Sequence, residues 1–185
     1  MTDLSKAKIA ILATNGFEQS ELMEPLTQLR KAGATVTIVS PEKGEITGWK
    51  DKDWGESVQV DMALSNARVA DFDALVLPGG QMNPDLLRAD PQAVSFLRDF
   101  VLSGKTVAAV CHAPWLLIEA GVISGRHVTS YASIKTDVKN AGGLWEDKAV
   151  IVDNGLITSR KPEDLNAFCA SIISEIGKAA RNQAA

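Results

Sequence analysis

Four short apolar runs set the limits on what this chain can fold into. Lys8-Ile-Ala-Ile-Leu-Ala13, Thr35-Val-Thr-Ile-Val-Ser40, Ala74-Leu-Val-Leu77 and Val107-Ala-Ala-Val110 are apolar along most of their length, with Gly, Pro or Asp close to their ends. A run that is apolar throughout, rather than alternating, suits a strand covered on both faces. Between these runs the period changes. Glu21 to Ala32 carries Leu22, Leu26 and Leu29 at helical spacing up to Gly33, and Pro91 to Leu102 carries Val94, Leu97, Phe100 and Val101 before Ser103-Gly104. Strands alternating with crossover helices predict an α/β fold with an open, mostly parallel sheet and helices on both faces. With 185 residues, 45% of them hydrophobic, the chain suffices for one core and is short for two. One domain over residues 1–185 is expected, with residues 1–6 and 181–185 as frayed tails.

The rest of the chain breaks the simple alternation. Lys43 to Asp61 holds Gly44, Gly48 and Gly55 with Trp49 and Trp54 among charges, which predicts an irregular insertion of short strands or hairpins and a candidate interface. Ile134 to Ala141 reads as a helix stopping at Gly142-Gly143. Ala149-Val-Ile-Val-Asp153 and Leu156-Ile-Thr158 flank Asn154-Gly155, a hairpin signal. Asp164 to Ala180 is the last amphipathic helix, with Leu165, Phe168, Ile172, Ile173 and Ile176 on one side.

Charge and composition exclude several classes. A net charge of -4 and a pI near 5.2, with no cluster of Lys or Arg, argue against nucleic acid as a partner. No segment is long and apolar enough to predict a membrane span, and the N-terminal apolar run is shorter than the core of a secretory signal. Two cysteines, Cys111 and Cys169, make no disulfide framework, so a cytoplasmic protein with reduced thiols is expected. Two histidines without a cysteine cluster predict no metal site, and the absence of G-x-G-x-x-G and of a P-loop predicts no nicotinamide or ATP cofactor.

The chemistry concentrates at Val107-Ala-Ala-Val-Cys-His-Ala-Pro-Trp115, where a strand passes into a helix with Cys111 at the joint. A side chain there projects from the C-terminal edge of the sheet, and the residues two before and two after it must be small. Ala109 and Ala113 satisfy this, so the pattern is a nucleophile elbow with cysteine in place of serine. A helix start would lower the thiol pKa and offer N–H groups to an oxyanion. Cys169 reads as a core residue and His127 as structural or surface. Glu18 and Glu21, beyond the end of the first strand, are three apart and would share a helix face within reach of the elbow; the alternative is a pair of acids placed for the helix dipole. Leu77-Pro-Gly-Gly80 ends the third strand with two glycines, Gly79 and Gly80, that can bring backbone N–H groups to a ligand.

Ala109-Val-Cys-His-Ala-Pro114, Leu77-Pro-Gly-Gly80, Gly16-Phe-Glu-Gln-Ser-Glu21 and Thr158-Ser-Arg160 together resemble the DJ-1/PfpI superfamily, most closely its PfpI branch of intracellular proteases and stress-related proteins. The likeness runs from Lys8 to Gly177. Ala113 departs from the glycine that many members of the branch carry after Cys-His. The resemblance implies a flavodoxin-like domain, akin to the class I glutamine amidotransferases; their late catalytic histidine has no counterpart, since none follows His127. It also implies that Glu21 faces the cysteine and serves as acid or base, with Glu18 the second choice. His112 acts beside Cys111, and an acid from a neighbouring subunit falls on Asp85, which could instead be a helix N-cap. Tyr131 falls where the family places a pocket-rim residue. The expected function is a cysteine-dependent stress enzyme acting on small reactive carbonyls, as a glyoxalase or deglycase, or on peptides, assembled as a homodimer or hexamer. The alternative is an oxidative-stress sensor working through oxidation of Cys111.

Overall fold

A computed structural model describes residues 2–183. Along the chain the elements are β1 (Lys8–Leu12), β2 (Phe17–Glu18), α1 (Gln19–Lys31), β3 (Thr35–Ser40), β4 (Glu45–Lys50), β5 (Asp53–Gln59), β6 (Met62–Ala63), β7 (Ala74–Leu77), α2 (Met82–Arg88), α3 (Pro91–Leu102), β8 (Thr106–Val110), α4 (Pro114–Glu119), β9 (His127–Val128), α5 (Lys135–Asn140), β10 (Leu144–Trp145), β11 (Val150–Asp153), β12 (Leu156–Ser159) and α6 (Leu165–Gln183). Seven strands form one sheet in the order β11-β12-β8-β7-β1-β3-β6. Only β11 runs antiparallel to its neighbour, because the Asn154-Gly155 turn joins it directly to β12. Both turn residues take positive φ, 46° and 82°, as a tight two-residue hairpin requires.

The four apolar runs are the buried strands, and their two faces fill two cores. Ile9, Ile11, Val76, Ala108 and Val110 pack under α1 and α6 against Leu22, Leu29, Phe168 and Ile172. Their neighbours Ala10, Leu12, Leu75, Leu77, Val107 and Ala109 pack on the other side against α3 and α4, including Leu97, Phe100, Leu116 and Leu117. Helix α3 starts where Asp90 accepts hydrogen bonds from the N–H groups of Gln92 and Ala93, with Pro91 just inside the helix.

The sheet positions the site through a change of direction. From β1 the chain crosses to β3 on one side, then returns to place β7 on the other. The carboxyl ends of β1 and β7 therefore diverge into a crevice, the usual ligand position of an open α/β sheet. The adjacent β8, in register with β7 through Leu77↔Ala109, brings Cys111 to the same edge.

The Lys43–Asp61 segment holds a hairpin, as its glycines suggested, β4 with β5, and β2 extends it into a three-stranded sheet with pairs Phe17↔Gly48 and Glu18↔Trp49. Three details differ from the sequence reading. Helix α5 is shorter than expected and is preceded by a 3-10 turn at Ala132–Ile134. Helix α4 begins only at Pro114, so a turn separates Cys111 from the helix. The tails are more ordered than expected: Leu4 is buried and α6 continues to Gln183, while Met1, Ala184 and Ala185 lie outside the described residues.

The two-sided core gives a stability test. Phe168→Ala removes a fully buried ring and is expected to lower the unfolding free energy by about 3–5 kcal/mol in urea titrations. Leu102→Ala, at a side chain 71% exposed, is expected to change it by less than about 0.5 kcal/mol.

Candidate active site

Cys111 has φ of 64°, a left-handed conformation that costs a non-glycine residue about 1–3 kcal/mol. Hydrogen bonds hold it there. Its N–H donates to the Ser159 carbonyl at 3.0 Å, its carbonyl accepts from Tyr131 N–H at 2.8 Å, and Ala113 N–H closes the turn onto the Val110 carbonyl at 3.0 Å. Ala109 and Ala113 are completely buried, as the elbow pattern requires.

Glu21, in the first turn of α1, is also completely buried. Its Oε2 accepts from Gly79 N–H at 2.8 Å, while the buried Oε1 has no hydrogen-bond partner among the described residues. The carboxyl lies close enough to the Cys111 thiol for each group to shift the other's titration. Burial pushes Glu21 up to about 8, despite the stabilising N–H groups of Gly79 and Gly80. At neutral pH it therefore holds a proton. Glu18 sits three residues earlier on the cleft wall, half-buried, with Ser20 Oγ donating to it at 3.3 Å; burial raises its pKa as well. Of the two carboxylates, Glu21 is the one beside the thiol.

Close approach of three chain segments makes this contact. A Cβ on Gly79 would lie 2.5 Å from Glu21 Oε2 and 2.7 Å from Cys111 Cβ. Gly80 has φ of 82°, and a Cβ there would lie 2.6 Å from the Gly16 carbonyl. The two glycines, which the sequence offers together as N–H donors to a ligand, have different partners. Gly79 N–H is committed to Glu21, whereas Gly80 and His112 supply the N–H groups that favour a charged sulfur at Cys111. Asn83 braces the loop: its Oδ1 accepts from Thr14 N–H at 2.8 Å, and its Nδ2 donates to the carbonyls of Pro78 and Gly79 at 2.8 and 3.1 Å.

The expected depression of the thiol pKa is overturned. Burial, and after it the neighbouring Glu21, push the Cys111 thiol up, because a dry site disfavours the thiolate and an acid beside it disfavours two charges there at once. The short helix α4 starts too late to offset this: the N–H groups of Ala113, Trp115 and Leu116 are already bonded to carbonyls. Activation has to come from a base. His112 Nδ1 lies 3.1 Å from Cys111 Sγ, and burial lowers the His112 pKa, so the ring is neutral at pH 7. Its Nε2 lies 3.1 Å from Ser133 Oγ. The tautomer donating from Nε2–H to Ser133 leaves Nδ1 free to take the thiol proton. Tyr131 stacks on the imidazole at a centroid distance of 4.8 Å.

These groups face a cavity of about 560 Å³, walled also by Trp49, Asp51 and Met82. A hollow of about 570 Å³ at the opposite sheet edge is lined by residues such as Ser5, Lys105 and Ile176, with neither cysteine nor histidine among its lining residues. Asp85 stands apart. It is neither an N-cap nor in the cleft; its carboxylate pairs with Arg88 within the same helix at 2.6 Å. Cys169 is fully buried in α6 and pushed up to about 12 by burial, and His127 is a surface residue pairing with Glu146 at 3.2 Å. Among the described residues, no group of three or more His, Cys, Asp or Glu side chains could hold a metal ion, and no helix is long and apolar enough to cross a membrane.

Ser133, Asn83, Trp49 and Asp51 were absent from the site that the sequence predicts. Asn83, a polar residue ahead of a proline beside the Gly-Gly loop, carried a usable signal. Ser133 carried none, because a serine two residues after an aromatic on an exposed loop is common.

The raised Glu21 pKa has a stability consequence. In the unfolded chain Glu21 has lost its proton by pH 7, whereas the folded state keeps it until about pH 8. Stability contributed by this group is therefore expected to be lost as pH rises from about 4.5 to about 8 and to level off above it. Urea midpoints should show this slope in the wild type and a flatter one in Glu21→Gln. His112, with its lowered pKa, acts in the opposite sense only as pH falls below its unfolded value near 6.5.

The DJ-1/PfpI family model matches residues 7–175. Protein/nucleic acid deglycase 2 of Escherichia coli is 46% identical over 171 residues, covering 92% of this chain and 98% of that protein. Putative cysteine protease YraA of Bacillus subtilis is 43% identical, covering 87% and 93%. Among solved structures, a two-domain protein of Anabaena variabilis with DJ-1/ThiJ/PfpI-like and ferritin-like domains superposes with a TM-score of 0.88 at 38% identity, over 92% of this chain. This chain spans 48% of that longer protein. The family match over residues 7–175, with relatives 43–46% identical along almost their whole length, makes this chain a member of the DJ-1/PfpI family, in its PfpI-like branch.

Proposed function

We propose that the protein is a cysteine-dependent stress enzyme acting on small reactive carbonyls: 2-oxoaldehydes and the adducts they form on amines and thiols. The observation that carries this reading is Cys111 Sγ at 3.1 Å from a neutral imidazole nitrogen, with the protonated Glu21 beside it, on a cavity of about 560 Å³. That volume suits a small molecule. Relatives named deglycase and putative cysteine protease support a reaction at this thiol. Peptide hydrolysis is the less favoured version, since an extended chain needs a groove.

The chemistry follows from the proton positions. Cys111 Sγ adds to the aldehyde carbon as His112 Nδ1 takes its proton, and the carbonyl π pair moves to oxygen. Glu21 gives its proton to that oxygen, and the resulting carboxylate removes the hydrogen from the same carbon. Returning it to the adjacent carbon, as a proton passes between the two oxygens, yields a 2-hydroxy thioester. Water, losing a proton to the Glu21 carboxylate as it attacks, cleaves this to a 2-hydroxy acid; Glu21 is thereby reprotonated, and His112 returns the proton to sulfur. The sequence is redox-neutral overall, and a carboxyl with a pKa near 8 suits both directions of transfer.

A second reading has its own support. Glu21 Oε1 is buried without a hydrogen-bond partner, so a protonated Glu21 can hold an oxygen of an oxidised Cys111, as a peroxide sensor would need.

Methylglyoxal consumption and release of amine from its lysine adducts are the direct assays. Cys111→Ala is expected to abolish both, and His112→Ala to lower kcat/KM by about 10²–10⁴-fold. The wild-type rate should decline above pH about 8 as Glu21 loses its proton. No turnover in wild type, with selective oxidation of Cys111 by mild peroxide, favours the sensor. Assembly as a homodimer or hexamer, with Asp85 of a neighbour orienting His112, belongs to the same proposal. Asp85→Asn, in a sample whose oligomeric state is verified by light scattering, should then lose at least about tenfold in kcat; unchanged kcat removes that role.

A further inference from the structure

His112 can take the thiol proton only while its ring is held in one orientation. Nδ1 lies 3.1 Å from Cys111 Sγ, and Nε2 lies 3.1 Å from Ser133 Oγ. The covalent chain dictates neither contact, because an imidazole turns about two side-chain bonds. The two polar contacts fix the ring nitrogens, and the tilt of the ring about the line joining them is left to its neighbours. Tyr131 stacks on the ring at a centroid distance of 4.8 Å, and Trp115 lies against it at 5.2 Å with the planes 54° apart.

Trp115 is itself fixed from two other helices. Its N–H donates to the His112 carbonyl at 3.0 Å, so the two side chains, three apart, share one side of that turn. From α5, Asp137 Oδ2 accepts from the indole Nε1–H at 2.9 Å. From α2, the Arg88 guanidinium lies 4.6 Å from the indole centroid, and Asp85 holds it at 2.6 Å. A cation over an aromatic face and a charge-assisted hydrogen bond at its edge are directional contacts. Together they fasten the indole where α2, α4 and α5 meet. Tyr131, by contrast, stands 40% exposed at the cavity rim. Neither Trp115 nor Asp137 lines the cavity.

We infer that Trp115 is a positioning residue for His112, and that Asp137, an exposed side chain on α5, acts on Cys111 through it. The indole is the backstop that keeps Nδ1 on the sulfur and Nε2–H on Ser133 as the thiol proton moves. The inference rests on His112 as the base of the proposed reaction, yet ring orientation and thiol reactivity can be read without turnover.

The chain has two histidines, so imidazole nitrogen NMR spectra in a His127→Gln background report the His112 tautomer alone. The Nε2–H form is expected with Trp115 intact. Trp115→Leu is expected to mix the two tautomers and to slow alkylation of Cys111 by iodoacetamide about tenfold or more. Trp115→Phe keeps a ring against the imidazole and should stay within about threefold of the wild-type rate. The Asp137 variants test the relay at the surface. Asp137→Leu is expected to reproduce the loss, whereas Asp137→Asn, whose amide oxygen still accepts from the indole, should stay within about twofold. In carbonyl turnover, Trp115→Leu and Asp137→Leu should lose kcat at unchanged KM, because neither position lines the cavity. Three results overturn the inference: no Nε2–H form with Trp115 intact, unchanged tautomer and alkylation rate in Trp115→Leu, or equal loss in Asp137→Asn and Asp137→Leu. If Trp115→Leu fails to fold, the two Asp137 variants decide. Thiol reactivity that follows Trp115 and Asp137 without any carbonyl turnover condemns the reaction and leaves the positioning standing; turnover with none of these dependences does the reverse.

Discussion

The left-handed backbone at Cys111 is the constraint on which the rest of this site depends. A cysteine with φ of 64° does not hold that conformation by preference. It does so here because carbonyls and N–H groups from β12 and from the Tyr131 loop close around it. Those segments are rigid only because β12 is paired to β8 along its length and buried beneath α6. The strain is thus supported by the sheet, and its product is a sulfur aimed out of the C-terminal edge rather than into a core.

A second constraint follows from the first. Once Sγ is fixed at that edge, Glu21 reaches it only if the loop after β7 passes between them without side chains. Both glycines meet that requirement sterically, and the Gly79 N–H satisfies one carboxyl oxygen in doing so. Burial then decides the proton inventory. A dry pocket with two acids retains protons on both, so the nucleophile depends on the neutral histidine beside it for activation. A helix dipole, which the sequence suggested as activator, is displaced by the three-residue turn that the left-handed cysteine itself demands.

What was legible in the sequence divides along the same line. Val107 to Val110 could be read as a buried strand because apolar runs report burial directly, and Asn154-Gly155 could be read as a hairpin because few dipeptides tolerate two positive φ values. The small residues flanking Cys111 and the Gly-Gly after β7 disclosed the elbow and the close approach. Thiol pKa was misread because the sign of the shift depends on desolvation, which no local pattern shows. Ser133 and Asp51 escaped because their roles come from contacts between loops distant in sequence. Asp85 was legible only through resemblance, and within one chain its carboxylate is taken up by Arg88.

The Lys43–Asp61 hairpin links these two levels. As sequence it resembles a decorative insertion, since glycines and charges obscure its period. Its position is fixed by a two-residue strand, Phe17–Glu18, whose parallel pairing with β4 extends the loop after β1 into a wall. Gly48 is required there because a Cβ would strike the Phe17 ring at 2.9 Å, and the register it permits sets Trp49 against Glu18. The hairpin is therefore also a wall of the cleft: through Trp49 and Asp51 it lines the cavity that holds Cys111, although neither residue touches the elbow's own hydrogen bonds.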